Sequence, residues 1–271
     1  MLPFELPESV KDVLEGRLAT AVELAILGGT STLELFQSTD VDVIRKGDDS
    51  PVTQADRNAE KLIRAELGKR FPNDAILGEE FGEQAGSTDY QWIVDPIDGT
   101  KSFIFGVPLY STLVGVVQGK RCLGGVIFIP ALNEIVFAAT GTGCWHSVAG
   151  SSPRKSSVSN RKLQDGLFVV SQVDSFGERG AQSGYRAIEK EAYVTRSWGD
   201  GYGYLLVATG RAELMVDPVA NPWDLAAVQP VVEEAGGKFT SWEGEPTVFG
   251  GDGIGSNGMI HEQARRLLLE N

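Results

Sequence analysis

Three short apolar runs in this chain stop on carboxylates: AILGEE at 75–80, YQWIVD at 90–95 and ELMVDP at 213–218. Runs of this length and composition read as buried strands. A strand that finishes on an acid delivers that acid to the end of a sheet, so the fold must tolerate several carboxylates at strand ends. The second run continues as WIVDPIDGTKSF. There Asp95 ends the strand, Pro96 fixes the backbone, and Asp98 follows with Gly99 and Thr100 behind it. Two carboxylates can converge in such a turn while backbone N–H groups point into the same space.

Around these strands the periodicity predicts helices. Val13, Leu14, Leu18, Ala21, Val22, Ala25 and Ile26 recur at helical steps over 10–36, interrupted by Gly28 and Gly29, which fit either a kink or a close helix contact. A polar turn at KGDDS and Thr53 precede a helix over 56–70, ended by Phe71 and Pro72. Residues 110–139 change to three strand-like segments, a meander. The Gly- and Ser-rich stretch 142–160 reads as an exposed connection. Beyond it strand and helix alternate: strands at 167–171 and 192–195, helices at 184–191 and 203–209, then the strand ELMV. PWDLAAVQPVVEEAGG follows as a helix stopped by Gly, then the strand KFTSW and a last helix over 259–269 burying Ile260, Leu267 and Leu268. The order predicts an α+β half over 1–145 and an α/β half over 146–271, joined in one layered body.

Composition narrows the chemistry. Acidic residues exceed basic ones, 37 to 24, giving a net charge of −13 that disfavours nucleic acid or an anionic membrane as partner. Cys122 and Cys144 are the only cysteines, so neither a disulfide framework nor a thiolate metal site is indicated, and a reducing, cytoplasmic setting fits. The N-terminal stretch lacks the basic and apolar regions of a signal peptide, and no 18-residue apolar run appears. His146 and His261 are not in an HExxH arrangement. GGDGIG and GTG match no nucleotide-binding fingerprint and read as turns, and no GxSxG elbow is present.

An oxygen-only acidic set suits Mg²⁺, which retains waters and completes its shell with substrate phosphate. DPIDG alone is also an ordinary turn composition, and Asp56 and Asp224, each in a helix first turn, also read as helix-capping acids. Glu79, Glu80, Asp95, Asp98, Asp56 and Asp224 all lie at element ends, and as a set they point to a site.

The combination GEEFG, WIVDPIDGTKSF and PWDLAAVQPVVEEAGG resembles the inositol monophosphatase-like family of Mg²⁺-dependent, lithium-sensitive phosphatases over nearly the whole chain. RSWGDGYGYLLVATGRAELMVDPVANPWD is most similar to the branch that hydrolyses L-histidinol phosphate in histidine biosynthesis. Gly201 stands where that branch's WGD-x-YG pattern carries Cys or Ala, a departure that bears on pocket shape. The resemblance implies a sandwich of alternating helix and sheet layers and two or three Mg²⁺ ions per site. Glu79, Asp95 and the Ile97 carbonyl would hold a first metal; Asp95, Asp98 and Asp224 would hold a second. It further implies that Gly99 and Thr100 bind the phosphate through backbone N–H groups, and that Thr100 and Asp56 orient the attacking water, with Glu79 sharing in catalysis. Asp217, with Asp200, would contact a cationic alcohol. The alternatives are a relative acting on inositol 1-phosphate or another sugar or nucleotide phosphate, and a catalytically silent metal-dependent binding protein. A homodimer is expected by the same resemblance.

Overall fold

Strand Tyr90–Asp98 shows how the layers arise, because its side chains alternate between two different packing partners. Trp92 and Val94 pack with Leu18, Val22, Ala25 and Ile63 from helices Arg17–Thr32 and Gln54–Arg70. Ile93 faces the other way, into a cluster with Leu205, Val228 and Val231 from helices Asp200–Ala208 and Val228–Glu234. The computed structural model describes residues 2–38, 43–45 and 51–270, the side chains of 43–45 and Pro51 excepted. The polar turn expected at 46–50 lies outside the described residues.

The large sheet has eight strands in the order Arg154–Ser156, Cys144–Val148, Glu134–Ala139, Arg121–Ile129, Ser111–Gln118, Tyr90–Asp98, Ala75–Gly78, Gly82–Gln84. Only the pairing of Ala75–Gly78 with Tyr90–Asp98 is parallel. A five-stranded sheet, ordered Val194–Arg196, Leu167–Val170, Leu214–Asp217, Gly253–Ser256, Lys238–Thr240, covers the inner helices. Its far face carries Phe168, Val170, Leu214 and Ile254 against Tyr185, Ile188, Ala264 and Leu268 of helices Gln182–Glu191 and His261–Leu269. Among the described residues helix, sheet, helix, sheet and helix layers follow one another, the alternation that the resemblance implies. Among the described residues no helix is long and apolar enough to cross a membrane.

Several local expectations change. Helix Arg17–Thr32 runs unbroken through Gly28 and Gly29, where a Cβ would stand 2.6 Å from Ile63 Cδ1 and 2.6 Å from Phe128 Cδ1 respectively, so these glycines serve close contact. The break lies earlier, at Leu14, Glu15 and Gly16, which are all left-handed (φ 53°, 56° and 80°). Apolar spacing continues across that break, which hides it. The PWD helix is two pieces, Pro222–Leu225 and Val228–Glu234, because Pro230 has no N–H to offer the Ala226 carbonyl. The stretch 142–160 is not a bare connection: Cys144–Val148 and Arg154–Ser156 extend the large sheet, and the 145/146 division falls inside the first of them.

The largest correction concerns GGDGIG. Rather than a turn only, it holds Gly253–Ser256, which pairs antiparallel with both neighbours in the small sheet. Glycine here is a packing requirement. A Cβ on Gly255 would lie 2.7 Å from Tyr204 Cδ1, and one on Gly253 2.9 Å from the Tyr204 hydroxyl.

Candidate active site

Three of the acids expected to converge do so. Ligand oxygens of Asp95, Asp98 and Asp224 all lie within 4.8 Å of one another. Asp95 and Asp98 sit at the end of Tyr90–Asp98, where the pairing with Ser111–Gln118 shifts register between them, so both can turn toward one space. Asp224 arrives from the opposite layer, as the third residue of Pro222–Leu225, with the Asn221 N–H donating to Asp224 Oδ2 at 2.6 Å. That helix comes close because the facing strands present paired glycines, Gly115 and Gly125. A Cβ on Gly125 would stand 2.0 Å from the Ala227 carbonyl oxygen, and one on Gly115 3.0 Å from the Ala226 carbonyl carbon.

Each acid is held by donors that leave oxygens for something else. Asp98 Oδ2 accepts from Ser111 Oγ at 2.6 Å and from the Gly201 N–H. Gly201, the departure from the branch pattern, has no room for a side chain: a Cβ would lie 2.3 Å from Ser111 Oγ and 2.8 Å from Asp98 Oδ2. Asp95 Oδ1 accepts from the Ile97 N–H at 3.1 Å.

Glu79 enters from the end of Ala75–Gly78, its N–H donating to the Val94 carbonyl at 3.2 Å, and its charge is felt by Asp56, Asp95 and Asp224. Asp56 is the third residue of Gln54–Arg70 and caps it reciprocally with Thr53, whose N–H donates at 2.8 Å. Thr100 Oγ1 donates toward Asp56 Oδ1 at 3.3 Å and the Ile97 carbonyl at 3.1 Å, joining these residues in one network. The capping reading of Asp56 is met, and the same side chain also reaches Thr100.

Electrostatically the cluster is frustrated. Burial, then the neighbouring charges of Glu79, Asp98 and Asp224, raises the Asp95 carboxyl well above the ordinary range. Burial, then Asp200 and Asp224, does the same to Asp98. Burial, opposed by the Asn221 N–H, lifts Asp224 to about 7. Among the described residues no Lys or Arg forms an ion pair with these three acids. Buried like charges without a counter-charge call for a cation, and an all-oxygen carboxylate set fits a hard divalent ion such as Mg²⁺.

Beside the trio, Asp98, Asp200, Asp217, Asp224 and Ser171 line a cavity of about 130 Å³. Asp217 ends Leu214–Asp217 and accepts from Ser171 Oγ at 2.6 Å; burial lifts it to about 7. The adjacent Tyr204 hydroxyl is buried without a well-formed hydrogen bond. Burial raises Asp200 to about 6, against the opposing charge of Lys101. Gly99, left-handed at φ 89°, brings its backbone against this wall, since a Cβ there would meet Asp200 Oδ2 at 2.7 Å. A larger groove of about 810 Å³, lined by Leu24, Leu27, Leu33 and Phe128, contains none of the converging acids.

Sequence reasoning did not single out Ser111, Ser171 or the glycine pair. The serines lie far in sequence from the acids to which they donate and have no spacing signature; Gly115 and Gly125 read only as small residues in strands.

Known proteins resemble the chain over most of its length. The profile described as the inositol monophosphatase family matches residues 14–270. The chain is 41% identical over 238 residues to the histidinol-phosphatase of Chlorobaculum parvum, covering 88% of this chain and 90% of that protein. It is 35% identical over 222 residues to the fructose-1,6-bisphosphatase/inositol-1-monophosphatase of Thermotoga maritima, covering 81% and 82%. The crystal structure of the extragenic suppressor protein suhB from Bartonella henselae superposes with a TM-score of 0.86 at 28% identity, over 94% of this chain and 99% of that one. With its layers, its acidic trio and a profile match over almost its full length, the chain belongs to the inositol monophosphatase family of phosphate-monoester hydrolases.

Proposed function

We propose that this chain is a Mg²⁺-dependent phosphatase whose substrate is L-histidinol phosphate. The observation that carries the substrate choice is the second acidic wall: Asp200 and Asp217 add two carboxylates to a cavity that already borders Asp98 and Asp224. A phosphate bound at the metal end leaves the alcohol portion facing that wall. An alcohol bearing an amine and an imidazole can bring opposing charge as well as donors to it, whereas a neutral polyol brings donors alone. The similarity to a histidinol-phosphatase at 41% identity supports the same reading.

Bound divalent ions supply charge neutralisation and a more acidic water, the two requirements for attack on an anionic ester. Asp95, Asp98, Asp224 and Glu79, with the Ile97 carbonyl, are the groups we assign to holding them. The protein's own part in the reaction is positioning and proton acceptance. Thr100 has one hydroxyl proton, directed at Asp56 and the Ile97 carbonyl, which leaves its lone pairs to accept from a water. As the water oxygen bonds phosphorus and the ester P–O bond breaks, the water's proton passes through the Thr100 hydroxyl to the Asp56 carboxylate, and the departing alkoxide takes a proton from solvent to leave as the free alcohol. Gly99 and Thr100 offer backbone N–H groups to the phosphate.

The similarity to the Thermotoga maritima protein favours inositol 1-phosphate or a sugar phosphate as the second reading. Phosphate release with Mg²⁺ from histidinol phosphate, inositol 1-phosphate, fructose 1,6-bisphosphate and 3′-phosphoadenosine 5′-phosphate separates them. The expected result is the highest kcat/KM on histidinol phosphate. A preference for any other ester removes this substrate, and no turnover of any removes the enzymatic reading.

A further inference from the structure

Helix Gln54–Arg70 carries two fully buried acids four residues apart, Asp56 and Glu60, hence on one face. Asp56 belongs to the network above. Glu60 does not, and its environment is unusual for a glutamate within a helix. Its Oε2 accepts from the Glu80 N–H at 2.7 Å and its Oε1 from the Phe81 N–H at 3.3 Å. Arg64, one turn on, donates Nε to Glu60 Oε1 at 2.7 Å and its other arm to the Gly82 carbonyl. Residues 80, 81 and 82 are thus fastened to the helix at three successive backbone groups. On the opposite side the Glu79 N–H is fixed to Val94, at the strand that carries Asp95. Room for the Glu60 carboxylate exists only because residue 78 is glycine: a Cβ there would lie 2.0 Å from Glu60 Oε1.

We propose that Glu60 is the positioning residue for Glu79, and that the Gly78–Glu60–Arg64 unit sets the affinity of the site for its divalent ion. The inference rests on the metal site proposed above. A glutamate on a turn between two short strands has many orientations, and clamping the three residues that follow it removes most of them before a metal arrives. The same helix places Asp56, so one rigid element sets both the metal-side glutamate and the acid near the attacking water. The sequence DRNAEKLIR shows only a helix with an apolar stripe, because the backbone amides that bind Glu60 have no sequence signature and the Glu60–Arg64 spacing is that of an ordinary helix-surface pair.

The test uses two substitutions that disturb the clamp by different routes. Glu60→Gln keeps size but replaces one acceptor oxygen by an NH₂ that faces donors. Gly78→Ala keeps the Glu60 charge but displaces its carboxylate. Mg²⁺ binding is measured by calorimetry on full-length protein, with circular dichroism and melting in EDTA to register folding. Both variants should bind Mg²⁺ about 10-fold or more weakly, the range for losing a group that orients a metal ligand. The Mg²⁺ concentration for half-maximal activity should rise in parallel, with KM for substrate at saturating Mg²⁺ little changed. Wild-type Mg²⁺ affinity in either folded variant overturns the proposal. If one variant does not fold, the other decides. Failure of the wild-type protein itself to bind Mg²⁺ would instead overturn the metal site, so the two failures are distinguishable.

Discussion

Asp74 and Asp95 are equally buried, each 2% exposed, yet the protein treats them in opposite ways. Burial alone would raise the Asp74 carboxyl, but Arg17 grips it with two bonds of 2.8 and 3.0 Å, and Thr88 and Trp92 donate as well, so its pKa falls below the usual range. Asp95 receives one backbone N–H at 3.1 Å, faces three further acids, and is pushed up. The first acid is completed by the chain. The second is left for something that is not part of the chain. That contrast, more than acidity, separates a structural carboxylate from a binding one here.

The comparison is broken most severely at its structural end. Arg17→Ala would leave Asp74 buried without its cation, and a loss of roughly 3–5 kcal/mol in unfolding free energy is expected from denaturant titration. Mg²⁺ affinity of the folded variant should be unchanged. A loss below about 1 kcal/mol would mean that the pair is not needed to stabilise Asp74.

His261 extends the contrast to a base that neutral groups complete. It is fully buried, with Thr240 Oγ1 at 2.9 Å from Nε2 and Ser256 Oγ at 2.9 Å from Nδ1, and burial lowers its pKa to about 4. Its folded value lies below the unfolded value near 6.5, so the unfolded chain binds the extra proton first. The neutral ring therefore favours the fold fully above pH 6.5, and that contribution is lost as pH falls from 6.5 toward 4. Urea unfolding over this window should show wild type losing on the order of 3 kcal/mol more than His261→Gln. Parallel pH profiles would contradict the buried neutral histidine.

At the site, Asp95→Asn keeps size and removes a charge shared by both proposed ions. Phosphate release at low millimolar Mg²⁺ should fall by at least ~10²-fold. Near-normal release would remove Asp95 from the reaction. The smallest expected effect is selective. Asp217→Asn should reduce kcat/KM on histidinol phosphate by about 10- to 100-fold while leaving p-nitrophenyl phosphate nearly unchanged at fixed salt and Mg²⁺. An equal fall for both esters would place Asp217 in folding or metal support.

What was legible follows from what periodicity carries. Apolar runs ending in acids marked Glu79 and Asp217 correctly as strand-end groups, the strand expected to stop at Asp95 runs on past a register shift to Asp98, and the PWD segment placed Asp224 in a helix first turn. The convergence of Asp95, Asp98 and Asp224 followed from motif order by resemblance, since no spacing in the chain states that two layers meet at 95 and 224. Features that depend on absent atoms escaped. Gly253 and Gly255 form a central strand because Tyr204 lies on them, and Gly115 and Gly125 admit the helix that brings Asp224. A missing side chain has no hydrophobicity to read, so such contacts appear only once the partner is in place. Arg154–Ser156 was missed because an edge strand of charged and polar residues has no apolar alternation.

The central claim is that the trio costs stability until a divalent ion joins it. Melting of wild type and Asp95→Asn in EDTA and in saturating Mg²⁺ tests it directly. A carboxyl whose pKa is raised on folding is less favourable in its charged form than in the unfolded chain at neutral pH, so removing its charge should not weaken the metal-free fold. Asp95→Asn should melt at or above wild type in EDTA. Mg²⁺ should raise the wild-type melting point, with about 2.7 kcal/mol expected at 100-fold over Kd, and should raise the variant far less, reversing the order. A variant that melts well below wild type in EDTA, or a wild type unmoved by Mg²⁺, would contradict the account.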